Sequence, residues 1–274
     1  MDQFADLHIH TYYSDGTLSP LEVVEQAHKN GLSCIAVTDH DTIDAIEPTR
    51  EVAQQFGIEV LSGIEVSSSY NGKDIHILGY LFDHRSLKFT EQLKEMQLLR
   101  VDRIKLMIEK LHGLGLKKIS FDEVKDIARA GSIGRPHLAA CLMNSGYVGS
   151  IQEAFDRYLA EGGPGYVSKF KISPYEAIGL IRDAGGVAVF AHPMLTNRDE
   201  LIPSLVREGL KGIEVFYPNC SETVMNFYLK LAKKNNIAAT GGSDAHGSHK
   251  KYTYIGKVKL PYERVEELKR MKNG

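Results

Sequence analysis

The chain has 274 residues, 43% of them hydrophobic and 25% charged, enough to bury a large core as one barrel of ordinary size or a smaller barrel carrying an inserted piece, rather than as two equal domains. Its 33 Lys and Arg against 35 Asp and Glu leave a formal net charge of -2, which supplies no global field for holding duplex nucleic acid. No apolar run approaches the roughly 20 residues that span a bilayer, and Met1 to Asp6 lacks the regions of a signal peptide, so a cytoplasmic protein without membrane association is expected.

The first eighty residues alternate between strand-like and helix-like segments. Phe4 to His10 reads as a strand, and Ser19 and Pro20 supply an N-cap and first-turn proline for a helix to about Asn30, closed by Gly31. Cys34 to Asp39 is the next strand, Asp44 to Phe56 an amphipathic helix, and Glu59 to Ser68 a strand again. Asn71-Gly72 marks a tight turn into Asp74 to Phe82, which predicts a hairpin instead of another crossover.

From His84 to Tyr166 helix periodicity takes over. Leu93, Met96, Leu99, Ile104, Met107, Ile108 and Leu111 predict one long helix, and shorter ones follow at Ser120 to Arg129, Arg135 to Asn144 and Ile151 to Leu159. We read residues 84–166 as an inserted, all-helical subdomain with Gly162 to Val167 as its exit linker, between two parts of one domain, 1–83 and 167–274. Alternation then resumes: helix Pro174 to Asp183, strand Gly186 to Ala191, helix Asp199 to Glu208, strand Gly212 to Tyr217, helix Ser221 to Asn235, strand Ala238 to Gly242, a last strand near Tyr254 to Leu260 and a charged helix from Glu263. The repeated GIEV at Gly63 and Gly212 is taken as two similar buried strands. Cys34, Cys141 and Cys220 form no CxxC pair and sit in apolar surroundings, so all three read as small core residues, with neither disulfides nor a thiolate zinc site.

Seven short apolar runs carry the chemistry: DLHIHT, AVTDH, SGIEVS, DIHILGY, VAVFAHP, GIEVFYP and GGSDAH. A parallel βα fold gathers its strand ends on one face, so residues distant in sequence can converge there. His8 and His10 are two apart on a strand and share a face, which lets both reach one metal ion. Asp15 follows in a Ser-Asp-Gly turn, where capping the turn is the other reading. His40 lies in a dense polar group after Ile35-Ala36-Val37, with Asp39 and Asp41 as partners able to orient imidazoles. Glu65 sits within Ile64-Glu65-Val66, where an unpaired carboxylate would cost several kcal/mol by the usual estimate, so a cation or hydrogen-bond network must compensate it. His76 begins its run, and the antiparallel hairpin would bring it beside Glu65. His192 exits its strand before Pro193, and Asp244 and His246 repeat the two-residue spacing. Such a mixed donor set suits zinc, manganese or iron.

The order HxH, Asp15, Thr-Asp-His-Asp, Glu65, His76, Ala-His-Pro and Ser-Asp-x-His resembles the PHP family, named for polymerase and histidinol phosphatase, over nearly the whole chain. Asp15 stands where some relatives carry histidine. The resemblance implies a distorted seven-stranded βα barrel holding two or three divalent metal ions: one on His8, His10, Glu65 and Asp244, a second on Asp15, His40 and His246, and a third on Glu65, His76 and His192. It implies catalytic roles for Asp15, His40, Glu65, Asp244 and His246 in metal-assisted hydrolysis of a phosphate ester. The helical stretch and Gly134-Arg135-Pro136-His137 resemble a subgroup of phosphoesterases acting on nucleoside monophosphates or 3′,5′-bisphosphates, or trimming short RNA from its 5′ end. Arg135, His137 and Lys169 are therefore candidates for binding the substrate, a small phosphorylated molecule, and no obligate protein partner is evident. For Arg100 and Arg103 a second phosphate and an ordinary solvated helix face are both open. The competing functions are a histidinol-phosphate phosphatase, an amide hydrolase, which usually shows a bridging lysine not evident here, and an inert metal-binding accessory module, expected to lack ligands.

Overall fold

A computed structural model describes residues 3–129, 131–168, 172–250 and 252–273. The chain runs through β1 (Phe4–Ile9), α1 (Pro20–Lys29), β2 (Cys34–Val37), α2 (Ile46–Ala53), β3 (Glu59–Leu61), β4 (Gly63–Tyr70) and β5 (Lys73–Tyr80). Four helices follow, α3 (Leu87–Gly113), α4 (Phe121–Ala128), α5 (Arg135–Asn144) and α6 (Ile151–Ala154). Next come α7 (Pro174–Asp183), β6 (Val187–Phe190), α8 (Pro193–Thr196), α9 (Ile202–Glu208), β7 (Gly212–Phe216), α10 (Glu222–Asn235), β8 (Ala238–Gly241), β9 (Leu260–Pro261) and α11 (Tyr262–Asn273). Among the described residues no helix is long and apolar enough to cross a membrane.

Local signals set most of these elements. Ser19 caps α1 and forms a capping box with Glu22, Pro20 occupies its first turn, and Val23, Val24 and Ala27 bury one face. Asn71 and Gly72 take positive φ, 49° and 81°, in the two-residue turn that joins β4 to β5 in an eight-pair antiparallel ladder.

The strands form two mixed sheets, ordered β3-β2-β1-β9 and β4-β5-β6-β7-β8. Isolated parallel bridges touch them together at two seams, His40 with Glu65 and Ile9 with Ala245. Both seams hold predicted ligands or their immediate neighbours. The expected single strand from Glu59 to Ser68 is broken at Ser62, because β3 pairs with β2 while β4 pairs with β5 in the other sheet. Gly63 makes the switch: a Cβ there would lie 2.5 Å from the Val37 carbonyl oxygen. The last strand is shorter than expected, since only Leu260 and Pro261 pair with the start of β1 and a proline cannot extend the ladder.

Two large apolar clusters bear on the site. One lies between the sheets and the flanking helices and includes Phe89 and Leu93 from the start of α3. The other is built wholly from residues between Ile104 and Leu159, so α3 belongs to both. Cys34 and Cys141 are buried, whereas Cys220 is only half-buried because it sits in the turn after β7.

Candidate metal centre

The alternation of β1 turns His8 and His10 to the same side, and both rings are fully buried. Their Nε2 atoms are 3.1 Å apart. Glu65 Oε2 lies 3.2 and 3.1 Å from them, and Asp244 Oδ1 3.5 and 3.4 Å. Donors at the corners of a tetrahedral zinc site with bonds of about 2.0 Å stand roughly 3.3 Å apart, which these separations match.

A second group surrounds Asp15. His246 Nε2 is 3.3 Å from Asp15 Oδ1, His40 Nε2 is 3.7 Å from Oδ2, and His10 Nδ1 is 3.6 Å from Oδ1. The four residues His10, Asp15, His40 and His246 are close enough to share one ion. His10 thus faces both groups, through Nε2 on one side and Nδ1 on the other, a sharing that local spacing does not reveal.

The other oxygen of Glu65 makes the third group. Oε1 meets His76 Nδ1 at 2.8 Å and His192 Nε2 at 3.0 Å. In the hairpin Ser67 pairs with His76, so Glu65, two residues earlier, shares the histidine's face. The Glu65 carboxylate therefore divides its oxygens between two sets of imidazoles. His40, Glu65 and His76 also form a set of metal-holding size.

Hydrogen bonds behind the rings set their tautomers. His8 Nδ1–H donates to Glu214 Oε1 at 2.9 Å, and the other Glu214 oxygen accepts the His192 backbone N–H at 2.8 Å. His246 Nδ1–H donates to the Asp244 carbonyl at 2.9 Å. Each bond leaves an Nε2 lone pair facing inward toward carboxylate oxygens that can only accept. Lone pairs converging in a buried space repel unless a cation lies among them. The Nδ1 atoms of His40 and His192 are also buried without a hydrogen-bond partner. This donor set fits divalent metal.

The field agrees with the geometry. Burial disfavours the charged form of His8 and His10, yet the surrounding carboxylates outweigh it, raising His8 well above its usual value and His10 to about 9. Burial likewise opposes ionisation of Asp15, Glu65 and Asp244, but the adjacent imidazoles hold all three well below the ordinary carboxylate range. Asp41, His192 and Asp244 take left-handed backbone, φ 54°, 30° and 49°, strain of the kind that collects at functional sites.

Several supporting residues were missed in the sequence. Glu214 is fully buried in the second GIEV, and its likeness to Glu65 in the first was the available signal. Tyr217 O–H donates to Asp244 Oδ2 at 2.7 Å, and Lys250 Nζ pairs with the same oxygen. His249 Nδ1–H donates to the Asp15 carbonyl at 2.8 Å. Asp6 accepts the backbone N–H groups of Ser243 and Gly256, both at 2.8 Å, tying β1 to the loop that carries Asp244. Asp39 and Asp41 do not orient imidazoles directly. Asp39 accepts from Thr11 N–H, the Thr11 hydroxyl and the Ser14 hydroxyl, bracing the turn that carries Asp15, whereas Asp41 pairs with Arg100 and accepts the Ser67 N–H.

Two of the expected substrate-binding residues, Arg135 and His137, sit in the first turn of α5 and make different contacts. Arg135, the first residue of α5, donates to Asp74 Oδ2 at 3.0 Å and to the Leu159 carbonyl at 3.3 Å. His137 is buried, and its Nδ1 accepts the Gly134 N–H at 3.0 Å. Burial pushes its pKa down to about 4, so it is neutral, and its ring also contacts the Ser14 backbone beside Asp15. Lys169 lies outside the described residues. Arg100 and Arg103 do not sit on a solvated face: Arg103 is buried, and Arg100 is engaged with Asp41, Ser67 Oγ and the Ile133 carbonyl.

Comparison with known proteins identifies the family of this chain. The chain is 34% identical to a 5′-3′ exoribonuclease of Haemophilus influenzae over 88% of its own length and 89% of the relative's. It is 33% identical to a 3′,5′-nucleoside bisphosphate phosphatase of Chromobacterium violaceum, covering 88% and 86%. A crystal structure of a candidate metal-dependent phosphoesterase from Bifidobacterium adolescentis superposes with a TM-score of 0.89 at 29% identity, over 98% of this chain and 96% of that one. The family described as the PHP domain matches residues 6–161, from Asp6 on β1 to beyond α6. With that match and with relatives similar along most of their length, this chain is a member of the PHP domain family.

Proposed function

We propose that this chain is a metal-dependent phosphoesterase that hydrolyses phosphate esters of nucleotides, nucleoside monophosphates or 3′,5′-bisphosphates, or the 5′ ends of short RNA. The observation that carries the reading is the divided Glu65 carboxylate, one oxygen among His8, His10 and His40 and the other between His76 and His192. The names of the relatives supply the substrate class.

We assign His8, His10, Asp15, His40, Glu65, His76, His192, Asp244 and His246 as the ligands. Two or three bound manganese, zinc or iron ions would supply a hydroxide at neutral pH and charge neutralisation around phosphorus. Glu214 and the Asp244 carbonyl keep the His8 and His246 rings in the ligating tautomer. Asp244 Oδ2 accepts from the Tyr217 O–H and pairs with Lys250, which leaves Oδ1 turned toward His8 and His10. Positioning and charge neutralisation supply most of the acceleration in such reactions.

The two bridged seams support reading seven strands, β1, β2 and β4 to β8, as a distorted barrel, and the separate apolar cluster supports residues 84–166 as a helical subdomain at its mouth. We place the protein in the cytoplasm, where its three free cysteines stay reduced.

The test is elemental analysis of protein purified without added metal, followed by a substrate panel with manganese, zinc or iron. Adenosine 3′,5′-bisphosphate, AMP, histidinol phosphate and a short 5′-phosphorylated RNA are offered side by side. Preference for histidinol phosphate overturns the nucleotide reading, and hydrolysis of none of the four points to an inert module.

A further inference from the structure

A groove of about 810 Å³ runs between the loops after β7 and β8 and the inserted helices, and none of its lining residues belongs to α3. Its size is that of an ordinary small-molecule site. One end is fixed to the metal centre. Tyr217 donates its hydroxyl to Asp244 Oδ2 at 2.7 Å, and its ring meets His192 edge-on with centroids 5.9 Å apart. Lys250 pairs with the same Asp244 oxygen, and His249 Nδ1–H donates to the Asp15 carbonyl at 2.8 Å. Three groove residues therefore touch assigned ligands, so the groove begins where the metal centre ends.

Charge along the groove is uneven. His249 and Lys250 stand at the end beside Asp15 and Asp244, and no aspartate or glutamate is among the lining residues. The inserted helices contribute uncharged groups: Ala140 and Met143, three apart on one face of α5, and Ile151 at the start of α6. Tyr252 lines the groove from the loop after β8. It is 84% exposed and, among the described residues, makes no hydrogen bond, ring contact or cation contact. Met143 is exposed as well. Single exposed apolar residues need no explanation, but an aromatic and a thioether lining one groove are polarisable surfaces on which a planar ring stacks. Asn219, in the turn after β7, adds an exposed carboxamide with no hydrogen bond among the described residues, a donor and an acceptor together.

The ligand that matches this distribution carries its charge at the metal end and is flat, uncharged and able to hydrogen-bond at the other. A nucleotide has that polarity. Histidinol phosphate does not, because its ammonium would enter beside Lys250 with no carboxylate lining the groove to meet it.

Resting on the phosphoesterase reading, we propose that this groove is a nucleobase site: with a substrate phosphate at the metal centre, the base stacks on Tyr252 and Met143 and the Asn219 carboxamide meets its edge. Every base has a π-face, so stacking selects nucleotides as a class and holds the larger purine face more firmly.

The experiment compares metal-loaded wild type, Tyr252→Leu and Tyr252→Phe on two substrate pairs matched in phosphate and sugar. AMP is set against ribose 5-phosphate, and adenosine 3′,5′-bisphosphate against 1-deoxyribose 3,5-bisphosphate, the second of each pair lacking the base. Wild type should prefer the base-bearing member of at least one pair by about tenfold or more in kcat/KM, mostly through KM. Tyr252→Leu should lose most of that preference, whereas Tyr252→Phe, which keeps the ring, should retain it. Both variants should unfold at the wild-type temperature, since the side chain is exposed. No preference in wild type, a preference that Tyr252→Leu keeps, equal loss in both variants, or a lowered unfolding temperature in Tyr252→Leu would each overturn the proposal. If wild type hydrolyses none of the four, the nucleotide phosphatase reading fails separately. Saturation-transfer NMR with adenosine, which carries no phosphate, then decides the groove. Transfer to the base protons that Tyr252→Leu abolishes and Tyr252→Phe keeps retains the site, and transfer that is absent or equal in all three proteins removes it.

Discussion

Glu214 accepts the Nδ1 proton of His8 at 2.9 Å in a fully buried contact, although 206 residues separate them in the chain. The bond points the His8 Nε2 lone pair at Glu65 and Asp244. Replacing Glu214 with glutamine removes the charge and permits the wrong tautomer, so metal affinity should fall about 10- to 100-fold. Titration of metal-free protein with zinc or manganese checks this, and an unchanged affinity would show that Glu214 plays no part in aligning the ring.

Glu65 faces five imidazoles through its two oxygens. Glu65→Ala should lower the bound metal and reduce kcat by about 10²-fold or more, because the charge neutralisation at phosphorus depends on what this carboxylate holds. Elemental analysis and turnover are measured on one preparation. Full activity with unchanged metal content would remove Glu65 from the centre.

Acid stability tests His137. Its folded pKa, about 4, lies below the usual 6.5, with burial as the main cause. Between those values the unfolded chain binds the proton and the folded chain does not, so stability is complete above pH 6.5 and is lost as pH falls toward 4. The loss from this residue is about 3 kcal/mol by linkage. Urea unfolding from pH 7 to 4 should show a shallower decline in His137→Gln than in wild type, and parallel declines would contradict the buried neutral ring.

Gly63→Ala tests the strand switch. The added methyl would meet the Val37 carbonyl oxygen at 2.5 Å, backbone that cannot rotate away. A stability loss of about 3 kcal/mol is expected from overpacking of this kind. Because Gly63 sits between the seam strands and two residues before Glu65, metal affinity should weaken as well. A variant with wild-type unfolding and affinity would show that the seam tolerates a wider gap.

The elements of this fold are legible because their causes are local. The Ser19 capping box, the Asn71-Gly72 turn and the two-residue spacing of His8 and His10 act within a few residues. The misreadings fall where the cause is remote. The segment from Glu59 to Ser68 has the composition of one strand, and only the need to pair with β2 and then β5 breaks it. Cys220 has apolar neighbours in sequence, yet the turn after β7 leaves it half-buried.

The same division runs through the site. The types and order of the donors, from HxH to Ser-Asp-x-His, are properties of the sequence itself, since side-chain chemistry and strand alternation need no tertiary information. Which donors meet was decided by packing: that His10 faces two groups, that Asp41 turns to Arg100 instead of an imidazole, that Glu214 backs His8, and that Arg103 is buried with an unmet donor. Those outcomes depend on how two sheets close at their seams and how α3 lies across them. Coulombic and hydrogen-bond partners are chosen by distance in space, and separation along the chain carries no record of it.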